Sequence, residues 1–218
     1  MIQANVSSTG ERILDSAERL FVENGFDATS LRMITTDAGV NLASVNYHFH
    51  SKDALIEAVL ARRIGPVNRR RLELLNACLE KAGEGQPQLE EIIHAFVEPA
   101  IMLRLDPAGA DVGRLFGRTY GGPSGTARRC FFEMMREIAR PFTEAFRKAA
   151  PDLPQIELLW RIHFSIGVMA HTLAGADHLK TVTAGLCDLS DPESVIQRII
   201  AYVAAGIRAP LPAKLNRS

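Results

Sequence analysis

A single glycine, Gly39, separates two short helix-like runs in the stretch TTDAGVNLASVNYHFHSKDAL, residues 35–55. Two helices joined by a short turn that contains glycine have the geometry of a helix-turn-helix. Apolar residues on both sides of the turn would hold the two helices against the preceding one; they are Leu31, Ile34, Ala38, Val40, Val45 and Phe49. The stretch therefore predicts either an ordinary helical hairpin or a surface that enters a groove of DNA.

Apolar residues recur at helical spacing along almost the whole chain, and no strand-like alternation is visible, so we predict an all-α fold. The first helix is predicted from about residue 9 to residue 24. Ser51 is a suitable N-cap for a long fourth helix, which Gly65–Pro66 should break or kink because proline lacks a backbone N–H. Further helices are predicted at about 88–104, 111–119, 126–149, 154–174 and 192–208, with a loop between the last two.

Composition excludes several classes of protein. The 218 residues are 47% hydrophobic and 23% charged, as expected for a folded chain, and the formal net charge is zero. Three widely spaced cysteines favour a reducing, cytoplasmic environment, and no run is apolar enough to span a membrane comfortably. No catalytic motif and no metal-ligand spacing is present, so we expect no enzyme activity, no cofactor and no metal.

The second helix of the hairpin carries the side chains that would read DNA. Asn46 can form paired hydrogen bonds with a base edge, Ala43 can contact a thymine methyl, and small residues allow close approach. Phosphate contacts are expected elsewhere on this surface, where helix N-terminal amides also bind anions. The predicted groove-facing residues are Leu42, Ala43, Ser44 and Asn46, and the predicted phosphate contacts are Thr29, Ser30, Tyr47, His48 and Lys52. Residues 1–65 hold six Lys or Arg against eight Asp or Glu, so any positive surface must be local.

Residues 13–60 resemble the DNA-binding domain of TetR-family regulators, through A-x-x-L-F-x-x-x-G-F-x-x-T-S, the Gly39–Val40 turn and Y-H-F-x-S-K-x-x-L. The resemblance implies phosphate contacts by Tyr47, His48 and Lys52, and a base contact by Arg32. It also implies a homodimer on double-stranded operator DNA that dissociates when a small ligand binds the C-terminal domain. We therefore predict a helix-turn-helix domain at 1–50, a connecting helix at 51–65 and a ligand-binding and dimerisation domain at 66–218.

Two further segments, residues 40–70 and 154–175, resemble the PsrA-type branch of that family, with W-R-x-H-F at 160–164 as the most distinctive match. Members of that branch respond to long-chain fatty acids or their derivatives, so the resemblance implies a small apolar effector. The alternatives are an unrelated effector, such as a drug or aromatic compound, and a DNA-binding protein without a small ligand. An enzyme with an incidental helical hairpin is a third class, which the missing catalytic motif disfavours.

Candidate effector contacts cluster in the C-terminal half. A Met- and Phe-rich stripe on the helix at 126–149 can line a gap for a flexible apolar ligand, or can be ordinary core. Two arginines one turn apart can bind a ligand carboxylate, or can pair with Glu133 or Glu137. The predicted ligand contacts are Arg114, Arg118, Phe131, Met134, Met135, Ile138 and Trp160.

The last two helices are apolar over more than one face, which exceeds what a monomer needs to bury and predicts a four-helix dimer interface. The predicted interface residues are Leu159, Ile162, His163, Ile166, Gly167, Ala170, Ile196, Ile199, Ile200 and Val203.

Overall fold

The computed structural model describes residues 8–105 and 125–211, and every regular element within them is a helix, which confirms the all-α prediction. No helix of this described part is long and apolar enough to cross a membrane. The predicted helix at 111–119 lies outside the described residues. The described helices are α1 (Thr9–Asn24), α2 (Leu31–Ala38), α3 (Leu42–Phe49), α4 (Lys52–Ala82), α5 (Leu89–Leu105), α6 (Gly125–Ala149), α7 (Gln155–Ala174), α8 (Ala176–Val182) and α9 (Pro192–Arg208).

The ends of the N-terminal helices are determined by local capping. Ser8 accepts a hydrogen bond from the Glu11 backbone N–H at 3.2 Å, and the Glu11 carboxylate accepts one from the Ser8 N–H at 2.8 Å. This reciprocal pair satisfies two backbone donors that a helix start leaves without partners. Gly25 ends α1 by donating to the Phe21 carbonyl, and Ser51 caps α4 by accepting from the Ala54 N–H.

Two regions differ from the sequence prediction. Helix α4 continues through Pro66, so the break predicted at Gly65–Pro66 does not occur, while a kink there stays a prediction. Proline removes one hydrogen bond of the helix ladder, and the remaining bonds of a 31-residue helix hold the chain in helical form. The second difference is the short helix α8, which lies within the segment predicted as a loop.

The chain divides into two compact units. The first contains the described residues 8–66 and 125–136, and the second contains 67–105 and 137–211. Sequence reasoning placed residues 66–218 in one domain, whereas the start of α6 groups with the first unit. The fully buried side chains of the first unit include Ile13, Ala17, Phe21, Ile34, Val45, Leu55, Val59 and Ala127.

The second unit is built on the packing of α9 against α5 and α7. Arg161 on α7 is buried and donates to the carbonyls of Ile207 at 2.7 Å and Ala209 at 2.6 Å. Its Nε donates to Glu157 at 2.9 Å, so the buried charge is matched by a carboxylate. Arg161 thereby satisfies carbonyls that the C-terminus of α9 leaves without helical partners.

The predicted dimer contacts on α9 are wrong. Side chains that sequence reasoning assigned to an interface are buried in the core of the second unit, where α9 faces α5. An apolar stripe has the same appearance in a sequence whether it packs within one chain or between two. The four affected residues are Ile196, Ile199, Ile200 and Val203, all of them at most 7% exposed.

Candidate nucleic-acid interface

The turn between α2 and α3 is formed by Gly39, whose φ of 61° and ψ of 42° lie in the left-handed region. Its N–H donates to the carbonyls of Thr35 and Thr36, and the Val40 N–H donates to Thr35 at 3.0 Å. These bonds satisfy the last carbonyls of α2 and change the chain direction within three residues. The two short helices with this turn form the predicted helix-turn-helix.

Arg12 on α1 reinforces the turn through contacts that sequence reasoning missed. Its Nη2 donates to the Ala38 carbonyl and, at 3.2 Å, to the Gly39 carbonyl. Arg12 and Gly39 are 27 positions apart in the chain, so no local spacing reveals this contact. A cation placed at the C-terminus of α2 also interacts favourably with the helix dipole.

Two groups of ion pairs hold α1 against its neighbours. Arg19 pairs with Asp37 on α2, and its hydrogen bond, with a second from Ser16, lowers the pKa of Asp37 below the ordinary value. Arg62 and Arg63 on α4 both pair with the buried carboxylate of Glu18. Because α1 contacts both α2 and α3, these pairs help to orient the whole helix-turn-helix.

The seating of α3 depends on its N-cap and one buried side chain. The Asn41 Oδ1 accepts from the Ser44 N–H at 2.9 Å and from the Ser44 hydroxyl at 3.1 Å. Val45 is fully buried in the core of the first unit. Ser44 is half-buried, and its hydroxyl donates to the Asn41 Oδ1. Its side chain therefore protrudes little from the surface of α3.

The opposite face of α3 is exposed to solvent. Tyr47 is 79% exposed and Leu42 is 44% exposed. Ala43, Asn46 and His48 are exposed beside them. The ring centroids of Tyr47 and His48 lie 5.1 Å apart in an edge-on arrangement. The structure thus brings together on one surface the α3 side chains that sequence reasoning selected.

The remaining selected residues lie on α2 and near its start. Ser30 caps α2 by accepting from the Met33 N–H at 3.2 Å and remains exposed, as does Arg32. Lys52 donates to the Asp27 carbonyl at 3.3 Å, which places its ammonium group beside the loop before α2.

Thr29 does not present a phosphate-binding hydroxyl. It is fully buried, and its Oγ1 donates to the carbonyls of Gly25 at 2.7 Å and Leu20 at 3.0 Å. The hydroxyl fastens the loop between α1 and α2 to the end of α1. A threonine at a loop carries no sequence signal that separates these two roles.

The predicted effector contacts among the described residues are divided between the two units. Phe131 is buried in the core of the first unit, and Met134 and Met135 pack against that core. Ile138 is buried in the second unit, and Trp160 is 54% exposed, so it is not the wall of a buried pocket. Arg114 and Arg118 lie outside the described residues. No cluster of potential metal ligands occurs in the part of the chain that the structure describes.

Sequence comparisons agree with this architecture. Residues 13–59 match the family described as "Bacterial regulatory proteins, tetR family", and residues 94–206 match "Tetracyclin repressor-like, C-terminal domain". The second match alone spans more than half of the 218 residues. The helix-turn-helix and the two matches place the chain among bacterial regulatory proteins. It belongs to the TetR family.

Curated relatives match about a quarter of this chain. The transcriptional regulator UidR of Escherichia coli is 36% identical over 59 residues, which cover 27% of this chain and 30% of UidR. The probable regulator YttP of Bacillus subtilis is 41% identical over 54 residues, covering 25% of this chain and 26% of YttP. The matched segment thus spans less than a third of either relative.

Solved structures share the fold over nearly the whole chain. The fatty acid degradation regulator FadR of Bacillus halodurans superposes with a TM-score of 0.63 at 11% identity, covering 94% of this chain and 98% of FadR. AmtR of Mycobacterium smegmatis superposes with a TM-score of 0.62 at 18% identity, covering 97% of this chain and 92% of AmtR. At such low identity, the likeness establishes the fold alone.

We predict that Gly39→Val destabilises the helix-turn-helix by about 1–2 kcal/mol, because a β-branched residue is strained in the left-handed region. Gly39→Asn should cost clearly less, because asparagine tolerates that backbone conformation. Both variants carry a Cβ that would lie 3.1 Å from the Arg12 Nη2. Urea unfolding of both variants separates the two effects. Equal losses would show that the approach to Arg12, rather than the backbone conformation, requires glycine.

Proposed function

We propose that this TetR-family protein is a ligand-responsive repressor that binds a near-palindromic operator through α3. The observation that carries the proposal is the exposed face of α3, which is held outward by the buried Val45 on its other side. A helix of this size fits the major groove of B-form DNA, whose base edges carry a distinct pattern for each base pair.

Within this proposal, side chains on the exposed face divide into two roles. Asn46 and Ala43 face the base edges, together with Leu42 and the half-buried Ser44. Tyr47, His48 and Lys52 contact phosphates, with Ser30 and Arg32 beside them at the start of α2. Thr29 takes no part through its side chain, because its hydroxyl is engaged within the protein.

Substitution of Lys52 and of Asn46 should have different consequences. Lys52→Ala removes one phosphate contact, so affinity should fall similarly for all DNA sequences, and the slope of log K against log salt should decrease by about 1. Asn46→Ala removes base recognition, so discrimination at one or two base pairs should fall by about 1–3 kcal/mol. Titrations of operator variants over a range of salt concentrations measure both effects.

Glu57→Ala, an exposed substitution on the same helix as Lys52, serves as the control and should leave specific binding nearly unchanged. The assignment of these two roles is wrong if Lys52→Ala and Asn46→Ala lose the same amount of DNA affinity for all sequences.

We further propose that the protein binds its operator as a homodimer through α7 and α9. Four large side chains are strongly exposed on these helices: Ile156, Trp160, Phe164 and Tyr202, with exposures of 54–71%. The rings of Trp160 and Phe164 stack at a centroid distance of 5.7 Å, which gives a broad apolar surface. Exposed apolar patches of this kind typically mark protein–protein contacts.

The α7 part of the original interface remains in this proposal, since Leu159, His163 and Gly167 are exposed and Ile162, Ile166 and Ala170 are half-buried. On α9, the proposed interface is formed by the side that carries Tyr202, because the opposite side is buried in the core. A two-fold dimer would place two copies of α3 at successive major grooves, about 34–36 Å apart.

Trp160→Glu should convert the dimer into a monomer, because it places a charge in a surface that the partner would bury. Leu186→Glu is the matched control, since Leu186 is 90% exposed and lies in the segment between α8 and α9 rather than on α7 or α9. Multi-angle light scattering measures the mass of each variant, and circular dichroism verifies that each is folded. A folded Trp160→Glu variant with the dimer mass would contradict this interface.

The proposed effector is a long-chain fatty acid or acyl derivative. Support comes from the W-R-x-H-F run at 160–164 and from the shared fold of FadR, whose name describes a regulator of fatty acid degradation. Packing in the second unit is compatible with an apolar guest, because α5 and α6 place aromatic rings in contact: Phe96 and Phe142 lie 5.2 Å apart. The competing proposal is an aromatic or cationic effector.

Thermal unfolding with fatty acids and acyl-CoA compounds tests the effector class. A ligand at about a hundred times its dissociation constant adds roughly 2.7 kcal/mol to the unfolding free energy, so the melting temperature should rise. The compounds that raise the melting temperature should also release operator DNA in a mobility-shift assay. A stabilising response to aromatic or cationic compounds, with none to any acyl chain, would overturn the acyl proposal.

A further inference from the structure

Arg71 on α4 carries a buried positive charge that no carboxylate of the described residues pairs with. The side chain is 4% exposed. Its guanidinium donates to the Phe96 carbonyl at 2.9 Å, to the Asn68 Oδ1 at 3.2 Å and to the Met169 Sδ at 3.5 Å. All three acceptors are neutral, and a thioether sulfur is a weak acceptor.

The other buried guanidinium of the described residues is treated differently. Arg161 faces the Glu157 carboxylate at 2.9 Å and four backbone carbonyls near the end of α9. The half-buried Arg62 and Arg63 likewise share the Glu18 carboxylate. Burying a cation is unfavourable unless an anion or a full set of acceptors compensates it. Arg71 is therefore the exception that requires an explanation.

The surroundings of Arg71 define the chemistry of a matching anion. Its guanidinium carbon lies 4.5 Å from the centroid of the Phe96 ring, which in turn contacts Phe142 edge-on. The buried and polarisable Met169 contacts the same guanidinium through its Sδ. Burial lowers the pKa of Arg71 to about 10, so the group is still a cation near neutral pH. A single cation among aromatic and thioether groups suits an anion with an apolar body.

We propose that Arg71 binds the carboxylate of the effector, and that the effector is therefore a free long-chain carboxylate rather than a thioester. This inference rests on the proposed acyl effector and specifies its chemical form. The planar guanidinium can present two parallel N–H donors to the two oxygens of a carboxylate. The Nη2 donor would exchange its sulfur contact for an oxygen. The proposal transfers to Arg71 the role that sequence reasoning assigned to Arg114 and Arg118.

Calorimetric titration of the full chain with oleate and with methyl oleate tests the proposal. Oleate should bind Arg71→Met at least tenfold more weakly than it binds the wild type. Arg69→Met, which changes an exposed arginine on the same helix, should bind like the wild type. Methyl oleate should bind the wild type at least tenfold more weakly than oleate, and Arg71→Met should not change its affinity.

Different results identify different failures. Equal oleate affinity for Arg71→Met and the wild type, or an ester that binds as tightly as the acid, overturns the role of Arg71 and leaves the acyl effector intact. Absence of binding by either compound to the wild type overturns the acyl effector itself.

Two further measurements keep the test decisive if Arg71→Met does not fold. Arg71→Lys retains the charge but loses the planar pair of donors, so oleate affinity should fall by an intermediate factor, and an unchanged affinity would contradict the proposal. On the wild type, oleate labelled with carbon-13 at the carboxyl group should titrate below the ordinary range of a carboxylic acid, because a neighbouring cation favours the ionised form. A bound carboxyl that titrates at or above that range would overturn the proposal.

Discussion

Burial of one face of α1 is the constraint on which the first unit depends. Ile13, Ala17 and Phe21 on that face are fully buried, and both α2 and α3 pack against α1. Helices of eight residues are too short to be stable alone in water, so α2 and α3 obtain their stability from this packing. Each large side chain buried there contributes about 1.5–3 kcal/mol. The outward direction of Tyr47 is therefore a consequence of what α1 buries.

The second unit uses the two sides of its helices for different purposes. The inner side of α9 forms the core with α5, while its outer side exposes Tyr202. Helix α7 likewise buries Leu158 and Arg161, and it exposes Ile156, Trp160 and Phe164. A helix that is apolar on both sides thus stabilises the unit, and in the proposed dimer its outer side would also form the interface. A substitution on the inner side of either helix should therefore change the stability of the unit, whereas one on the outer side should change the exposed surface.

Local features were predictable from the sequence, and features that depend on distant partners were not. The caps at Ser8 and Ser51 and the turn at Gly39 involve residues at most five positions apart, so composition and spacing reveal them. The exposed face of α3 also follows from its pattern and from the family resemblance.

Burial required the tertiary structure. Ile200 and Trp160 are both large apolar residues on predicted helices, yet Ile200 is 7% exposed and Trp160 is 54% exposed. The phosphate contact predicted for Thr29 was wrong and the burial of Arg71 was not predicted, because both depend on carbonyls and rings contributed from elsewhere in the chain.

Proline within α4 has a mechanical consequence. Pro66 has no N–H to donate to the Arg62 carbonyl, so α4 lacks one backbone hydrogen bond. The missing bond lies next to Arg62 and Arg63, which pair with Glu18. A helix that lacks one hydrogen bond bends most easily at that position, so elastic strain applied to α4 concentrates there.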